Sequence, residues 1–222
     1  MIKAVLFDMD GVLIDAKDWH YEALNDVLDL FGMAIERQSH LAMFDGLPTR
    51  RKLEILSKTR GFPSGLHDFV NKLKQDRTVE KATALCRPVF HHRFALAKLK
   101  QDGMRLAVCS NSVRQSVELM MKLSGLTPFL DLMVSNEDVR KPKPDPEMYA
   151  LAMSRLGVTP GEALILEDND HGIAAARASG AHVMVVGTPD DVRYAAIRRE
   201  IVETQKVVAS KMSKVQQVPK GR

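Results

Sequence analysis

The sequence predicts an α/β fold, a doubly wound parallel sheet with a helical cap domain inserted after the first strand. Three observations carry that expectation. Five short apolar runs read as strands: Lys3 to Asp8, Met104 to Cys109, Leu130 to Ser135, Ala163 to Glu167 and His182 to Val186. From the second run onward they alternate with helical segments at about 25-residue spacing, the mark of right-handed βαβ units. Between the first run and the second lie about 90 residues of helical periodicity, far more than a loop inside a compact domain.

The first strand runs straight into Asp8-Met9-Asp10-Gly11. Buried strands rarely end in acid pairs for structural reasons, because unpaired charge at a sheet edge is costly to desolvate. A divalent cation offsets that cost and turns the first aspartate into a candidate phosphoryl acceptor. Helical periodicity then covers Trp19 to Phe31, Arg50 to Ser57, Leu66 to Lys74 and Val79 to Lys100. Residues 15–85 are therefore read as the cap, leaving 1–14 and 86–203 as the core. Beyond the second strand, helices are expected over Val113 to Ser124, Pro146 to Leu156 and His171 to Ser179. Gly125, Gly157 and Gly180 each follow a helical run, where a left-handed cap is expected.

Composition bounds the function. A chain of 222 residues with 45% hydrophobic and 27% charged residues is long enough to bury a sizeable core. The formal charge of +4 is local: residues 204–222 hold Lys206, Lys211, Lys214, Lys220 and Arg222 and no acid, so the remainder sums to −1. The basicity thus belongs to a C-terminal tail, expected to fray, and not to a nucleic-acid groove in the body. Cys86 and Cys109 suggest neither a disulfide framework nor a zinc site. The first strand begins too soon after Met1 for a signal peptide, and no apolar run approaches the ~20 residues of a membrane span. A cytoplasmic protein, monomer or weak dimer, is the expectation.

In an open parallel sheet, ligands bind beyond the carboxyl ends of the strands. The residues there are Asp8-Met9-Asp10, then Ser110-Asn111-Ser112. Arg140-Lys141-Pro142-Lys143-Pro144-Asp145 follows, and finally Glu167-Asp168-Asn169-Asp170. All should meet along one edge of the sheet. Ser110 and Asn111 sit where a strand gives way to a helix, a ready phosphate cradle, although helix capping explains a serine there equally well. Adjacent histidines at 91 and 92 read as solvated residues, since neighbours on a helix point apart.

With the segment from Asp8 to Asp15, Ser110-Asn111, Lys141 to Pro146 and Glu167 to Gly172 in hand, the chain resembles the haloacid dehalogenase (HAD) superfamily. The branch is the one with a helical cap and a Rossmann-like core, similar to β-phosphoglucomutase and phosphoglycolate phosphatase. The motifs run in the family's order over residues 1 to about 187.

The resemblance implies a Mg²⁺-dependent phosphatase of small phosphorylated metabolites, such as a sugar phosphate or a phosphoglycolate-like acid. Asp8 is then the nucleophile, forming an aspartyl-phosphate, and Asp10 the general acid and base. The second aspartate accompanies phosphoryl transfer in the family and argues against carbon–halogen chemistry. The implied metal ligands are Asp8, the Asp10 carbonyl, Asp168 and Glu167, the last directly or through water. Lys141 is the implied cation touching both Asp8 and the phosphate; Lys143 competes, and the family spacing favours Lys141. Ser110 and Asn111 would bind phosphate, with cap residues His20 and Arg50 as substrate contacts, Arg50 against a second phosphate or a carboxylate. A phosphomutase of the β-phosphoglucomutase type is the enzymatic alternative, weakened by Val113-Arg114 where mutase-like members carry a lysine. A phospho-acceptor or a binding protein with a vestigial site is the alternative outside enzymes.

Overall fold

The computed structural model describes residues 1–216, with side chains through Lys206. Five strands, β1 (Ala4–Phe7), β2 (Arg105–Cys109), β3 (Leu132–Val134), β4 (Ala163–Glu167) and β5 (His182–Val185), form one sheet in the order β3-β2-β1-β4-β5. Every neighbouring pair is parallel. β1 therefore lies centrally, with β2 and β4 on either side, so that the loops after three adjacent strands share one edge.

Strand alternation divides the core in two. Val5 and Phe7 of β1, with Leu106, Val108, Leu164 and Leu166, face α5 (Phe90–Gln101), α6 (Arg114–Leu123) and α9 (Tyr194–Gln216). Ala4, Leu6, Ala107 and Ile165 face α7 (Glu147–Leu156) and α8 (Asp170–Ala178). A period of two with both faces apolar is what a sheet covered by helices on both sides requires.

The insert after β1 comprises α1 (Lys17–Leu28), α2 (Arg37–Met43), α3 (Thr49–Arg60) and α4 (His67–Leu85). It has its own apolar centre, built on Leu24, Val27, Leu28, Ile35, Leu53, Leu56, Phe62 and Val70. Short α2 escapes the periodicity reading because its seven residues offer too few turns to show a pattern. The run from Val79 to Lys100, read as one helix, is two. α4 stops at Leu85 and α5 starts at Phe90, with Pro88 between them. Proline lacks the amide donor and clashes with the preceding turn, so the helix breaks there.

The three expected left-handed glycines are observed, with φ of 68° at Gly125, 64° at Gly157 and 79° at Gly180. The tail expected from residue 204 begins inside α9, which continues to Gln216; Lys220 and Arg222 lie outside the described residues. His92 is buried and bonds the Pro189 carbonyl at 2.8 Å, so it packs the core instead of facing solvent. Among the described residues no helix is long and apolar enough to cross a membrane.

Candidate active site

Asp8 closes β1. Its amide bonds the Leu166 carbonyl at 3.0 Å, which continues the ladder to β4 and points the carboxylate out of the strand end. The carboxylate is nearly buried and is met by Lys143 Nζ at 2.7 Å. The same ammonium lies 2.7 Å from Glu167 Oε1 and 2.8 Å from the Cys109 carbonyl, with the Tyr149 ring 4.8 Å away. Tyr149 donates its hydroxyl to the same Glu167 oxygen. Burial pulls the Lys143 pKa down; Asp8 and Glu167 outweigh it and hold the group charged.

Here the structure corrects the sequence reading. Lys141, expected on Asp8, is a surface residue whose side chain is 74% exposed and whose ammonium pairs with Asp145, at 4.0 Å. Its neighbour two residues on occupies the site. The motif contains two overlapping Lys-Pro-x-Pro frames, one starting at each lysine, and the residues alone do not choose between them. The structure chooses through Asn111, whose Oδ1 accepts from the Lys143 amide at 3.0 Å while its Nδ2 donates to the Lys143 carbonyl at 3.2 Å. A second bond from Nδ2 reaches the Gly46 carbonyl of the insert at 3.1 Å. The Asn111 side chain is thus spent on aligning Lys143 and on the insert, and is not free for phosphate. Ser110 is buried beside the cavity, its Oγ accepting from the Ser112 amide at 3.0 Å.

Asp10 has a separate set of partners. His20 Nε2 stands 3.0 Å from Oδ1, and Ser112 Oγ donates to Oδ2 at 3.1 Å. Lys74 Nζ lies 3.0 Å from His20 Nδ1. An ammonium is only a donor, so Nδ1 accepts and Nε2 carries the hydrogen given to Asp10. Burial pushes the Asp10 carboxyl up, but His20 and Ser112 outweigh it and hold it below its usual value. His20, expected to contact substrate, lines the cavity and bonds Asp10 from the insert. Arg50 lines the same cavity, but it is exposed and pairs with Asp68 at 3.0 Å.

Glu167 and Asp168 complete an acidic corner. One oxygen from each of Asp8, Glu167 and Asp168 lies within 4.8 Å of the others. Burial and the nearby Glu167 charge push the Asp8 carboxyl well up, against the pull of Lys143, so negative charge is in excess there. Asp168 Oδ2 is buried and is paired with Lys17 Nζ at 2.6 Å. Three crowded carboxylates with negative charge in excess are the donor set of a hard divalent cation, so these residues fit a metal.

Two glycines make room for this corner. A Cβ on Gly11, where φ is 90°, would fall 2.1 Å from Asp168 Oδ2, and one on Gly172 would fall 2.0 Å from Glu167 Oε1. A cavity of about 640 Å³ opens over Asp8 and Asp10, floored by the strand ends and roofed by α2, α3 and α4. It suits a small metabolite. Lys17, Lys74 and Tyr149 are neighbours of the site that sequence reading missed. Lys74 contacts His20 across 54 positions, and no local pattern signals such a pair.

With this geometry in place, comparison with known proteins is informative. Residues 5–186 match the family model described as haloacid dehalogenase-like hydrolase. The chain is 31% identical to the phosphorylated carbohydrates phosphatase of Thermotoga maritima, over 81% of this chain and 82% of the relative. It is 31% identical to pyrophosphatase PpaX of Bacillus velezensis, over 81% and 80% of the two chains. The crystal structure of β-phosphoglucomutase from Clostridium difficile superposes with a TM-score of 0.81. That match covers 94% of this chain and 100% of the other at 19% identity, a likeness of fold.

Proposed function

Because the chain belongs to the haloacid dehalogenase-like hydrolase family, we propose that it is a magnesium-dependent phosphatase. It hydrolyses phosphate monoesters of small metabolites through a phosphoryl group carried on Asp8. The observation that supports this most is the division of labour between two aspartates over one cavity. Asp8 is held by a buried lysine 2.7 Å away, while Asp10 is held by His20 and Ser112 at 3.0 and 3.1 Å. One is placed as a nucleophile against an anion, the other as a proton carrier.

In the first step an Asp8 oxygen bonds to phosphorus as the ester P–O bond breaks, and Asp10 gives its proton to the departing oxygen. In the second, Asp10 takes a proton from water, whose oxygen bonds to phosphorus and frees Asp8. The products are an alcohol and inorganic phosphate. His20 and Ser112 favour the ionised Asp10 of the second step; burial and the arriving ester's negative charge favour the protonated form of the first. Lys143 neutralises phosphate charge beside Asp8, and Ser110 lines the phosphate end of the cavity. Asp8, Asp168, Glu167 and the Asp10 carbonyl would hold Mg²⁺, which when bound offsets the repulsion between a carboxylate and a phosphate. The helices α1–α4 act as the cap, excluding bulk water.

Hydrolysis is favoured over transfer to a second sugar hydroxyl because Arg114, beside the cavity-lining Val113, is committed to an ion pair with Asp138. A free phosphate-gripping cation is therefore missing from that position. The test is release of phosphate from p-nitrophenyl phosphate with Mg²⁺, before and after chelation. Turnover should fall at least about 100-fold in EDTA, in line with several kcal/mol of lost charge stabilisation, and return with added Mg²⁺. Full activity in metal-free protein would overturn the metal assignment.

A further inference from the structure

The roof of the cavity holds a second group of donors that the proposed chemistry leaves unused. Lys52, near the start of α3, is buried, with its side chain in the cavity wall. Among the described residues no carboxylate lies within ion-pair distance of it. Burial pulls its pKa down to about 8 against the fields of Asp45 and Asp10, and its contact is His40 Nε2, at 3.3 Å. His40, on α2, is 3% exposed and lines the same cavity. Its ring is fixed by Tyr21, edge-on at 5.0 Å, and by Phe44, stacked at 6.2 Å.

Donor arithmetic fixes the tautomer. Lys52 can only donate, so His40 Nε2 accepts and the ring hydrogen sits on Nδ1. That Nδ1 is a buried atom with no partner. The Nδ1 hydrogen thus lacks an acceptor, and the ammonium beside it is met by a neutral imidazole and no anion, in two residues that line the cavity. Buried polar groups are nearly always paired and buried charge is nearly always countered, so an unmet Nδ1 beside an ammonium without a carboxylate calls for a ligand that supplies an anionic acceptor. Burial and the Lys52 charge pull the His40 pKa down to about 4, so near neutral pH the ring keeps this neutral, single-hydrogen form. Lys74 lines the same cavity, but burial and the Lys52 charge pull its pKa down to about 7, so Lys52 is the more fully charged of the two near neutral pH.

We propose that Lys52 and His40 form an anion subsite, and that the substrate is a phosphate monoester bearing a second anionic group. This rests on the phosphatase reading for the placement of the first phosphate at Asp8. It moves the role of substrate-reading cation from Arg50, which is exposed and paired with Asp68, to a buried lysine two positions on.

The test is calorimetric binding to the Asp8→Asn protein with two matched pairs. Fructose 1,6-bisphosphate is compared with fructose 1-phosphate, and 3-phosphoglycerate with glycerol 3-phosphate. The doubly anionic member of at least one pair should bind about tenfold to a hundredfold more tightly, as expected for hydrogen bonds to a charged group. Which pair shows it tells phosphate from carboxylate. Lys52→Met in the same background should cancel that preference while still binding the singly anionic member. Equal binding within both pairs, or a loss in Lys52→Met that is the same for both members, overturns the subsite. Should Lys52→Met not fold, the ratio in the Asp8→Asn protein decides alone. Failure of the phosphatase reading shows separately, as absent turnover of p-nitrophenyl phosphate by the native enzyme with the binding preference intact.

Discussion

Replacing Lys143 by methionine should remove activity and stability together. The methionine keeps the length of the side chain and deletes its charge. Losing one group that stabilises developing charge on phosphate costs about 10² to 10³ in kcat. The stability loss has a different origin. Asp8 and Glu167 both contact this ammonium at 2.7 Å, and both are buried. Without it two carboxylates face each other in a site closed to water, and breaking a buried pair in this way costs about 3–5 kcal/mol. Added divalent metal should restore part of the stability by supplying the missing positive charge. Lys141→Ala is the control: its side chain is 74% exposed, so activity should stay within about threefold and stability within about 0.5 kcal/mol. If Lys141→Ala were the damaging change and Lys143→Met harmless, the placement of the two lysines would be wrong.

Asp8→Asn should do the opposite to stability while removing more activity. Asparagine fits the same space but is a poor nucleophile, so turnover should drop at least about 10⁴-fold, as when other covalent nucleophiles are removed. Burial first, and then the charge of Glu167, push the Asp8 carboxyl well above its usual pKa. The folded protein therefore pays to keep it ionised, and removing the charge relieves that cost. Thermal unfolding of Asp8→Asn should occur no lower than that of the native chain near pH 7, and higher in EDTA than for native protein in EDTA. A marked destabilisation would mean that Asp8 anchors the fold through Lys143 more than it strains it.

These two variants also show what the amino-acid pattern made legible. Asp8, Asp10 and Asp168 could be read because each lies within three residues of the end of an apolar run, and strand ends in a parallel sheet converge on one edge. Lys143 could not be chosen over Lys141, because Lys-Pro-Lys-Pro repeats its own frame. The decision comes from Asn111, 32 positions away, gripping the Lys143 backbone on both sides. Local spacing holds no record of that clamp. The insert was visible as a long helical connection and His20 was read as one of its site residues, yet most of the others were not. Lys74, Lys52 and His40 sit on amphipathic helices where a polar residue ordinarily faces solvent, and only packing of α2, α3 and α4 over the strand ends buries them. His92 was misplaced for the same reason, since its burial depends on the Pro189 carbonyl from the far end of the chain.

The central claim is that phosphorus is transferred twice, first to Asp8 and then to water. The stereochemical course at a phosphorus made chiral with oxygen isotopes tests it most directly. Two in-line displacements return the original configuration, so the account predicts net retention in the released phosphate. Net inversion would mean that water attacks the ester in a single step, with Asp8 no more than a charged neighbour.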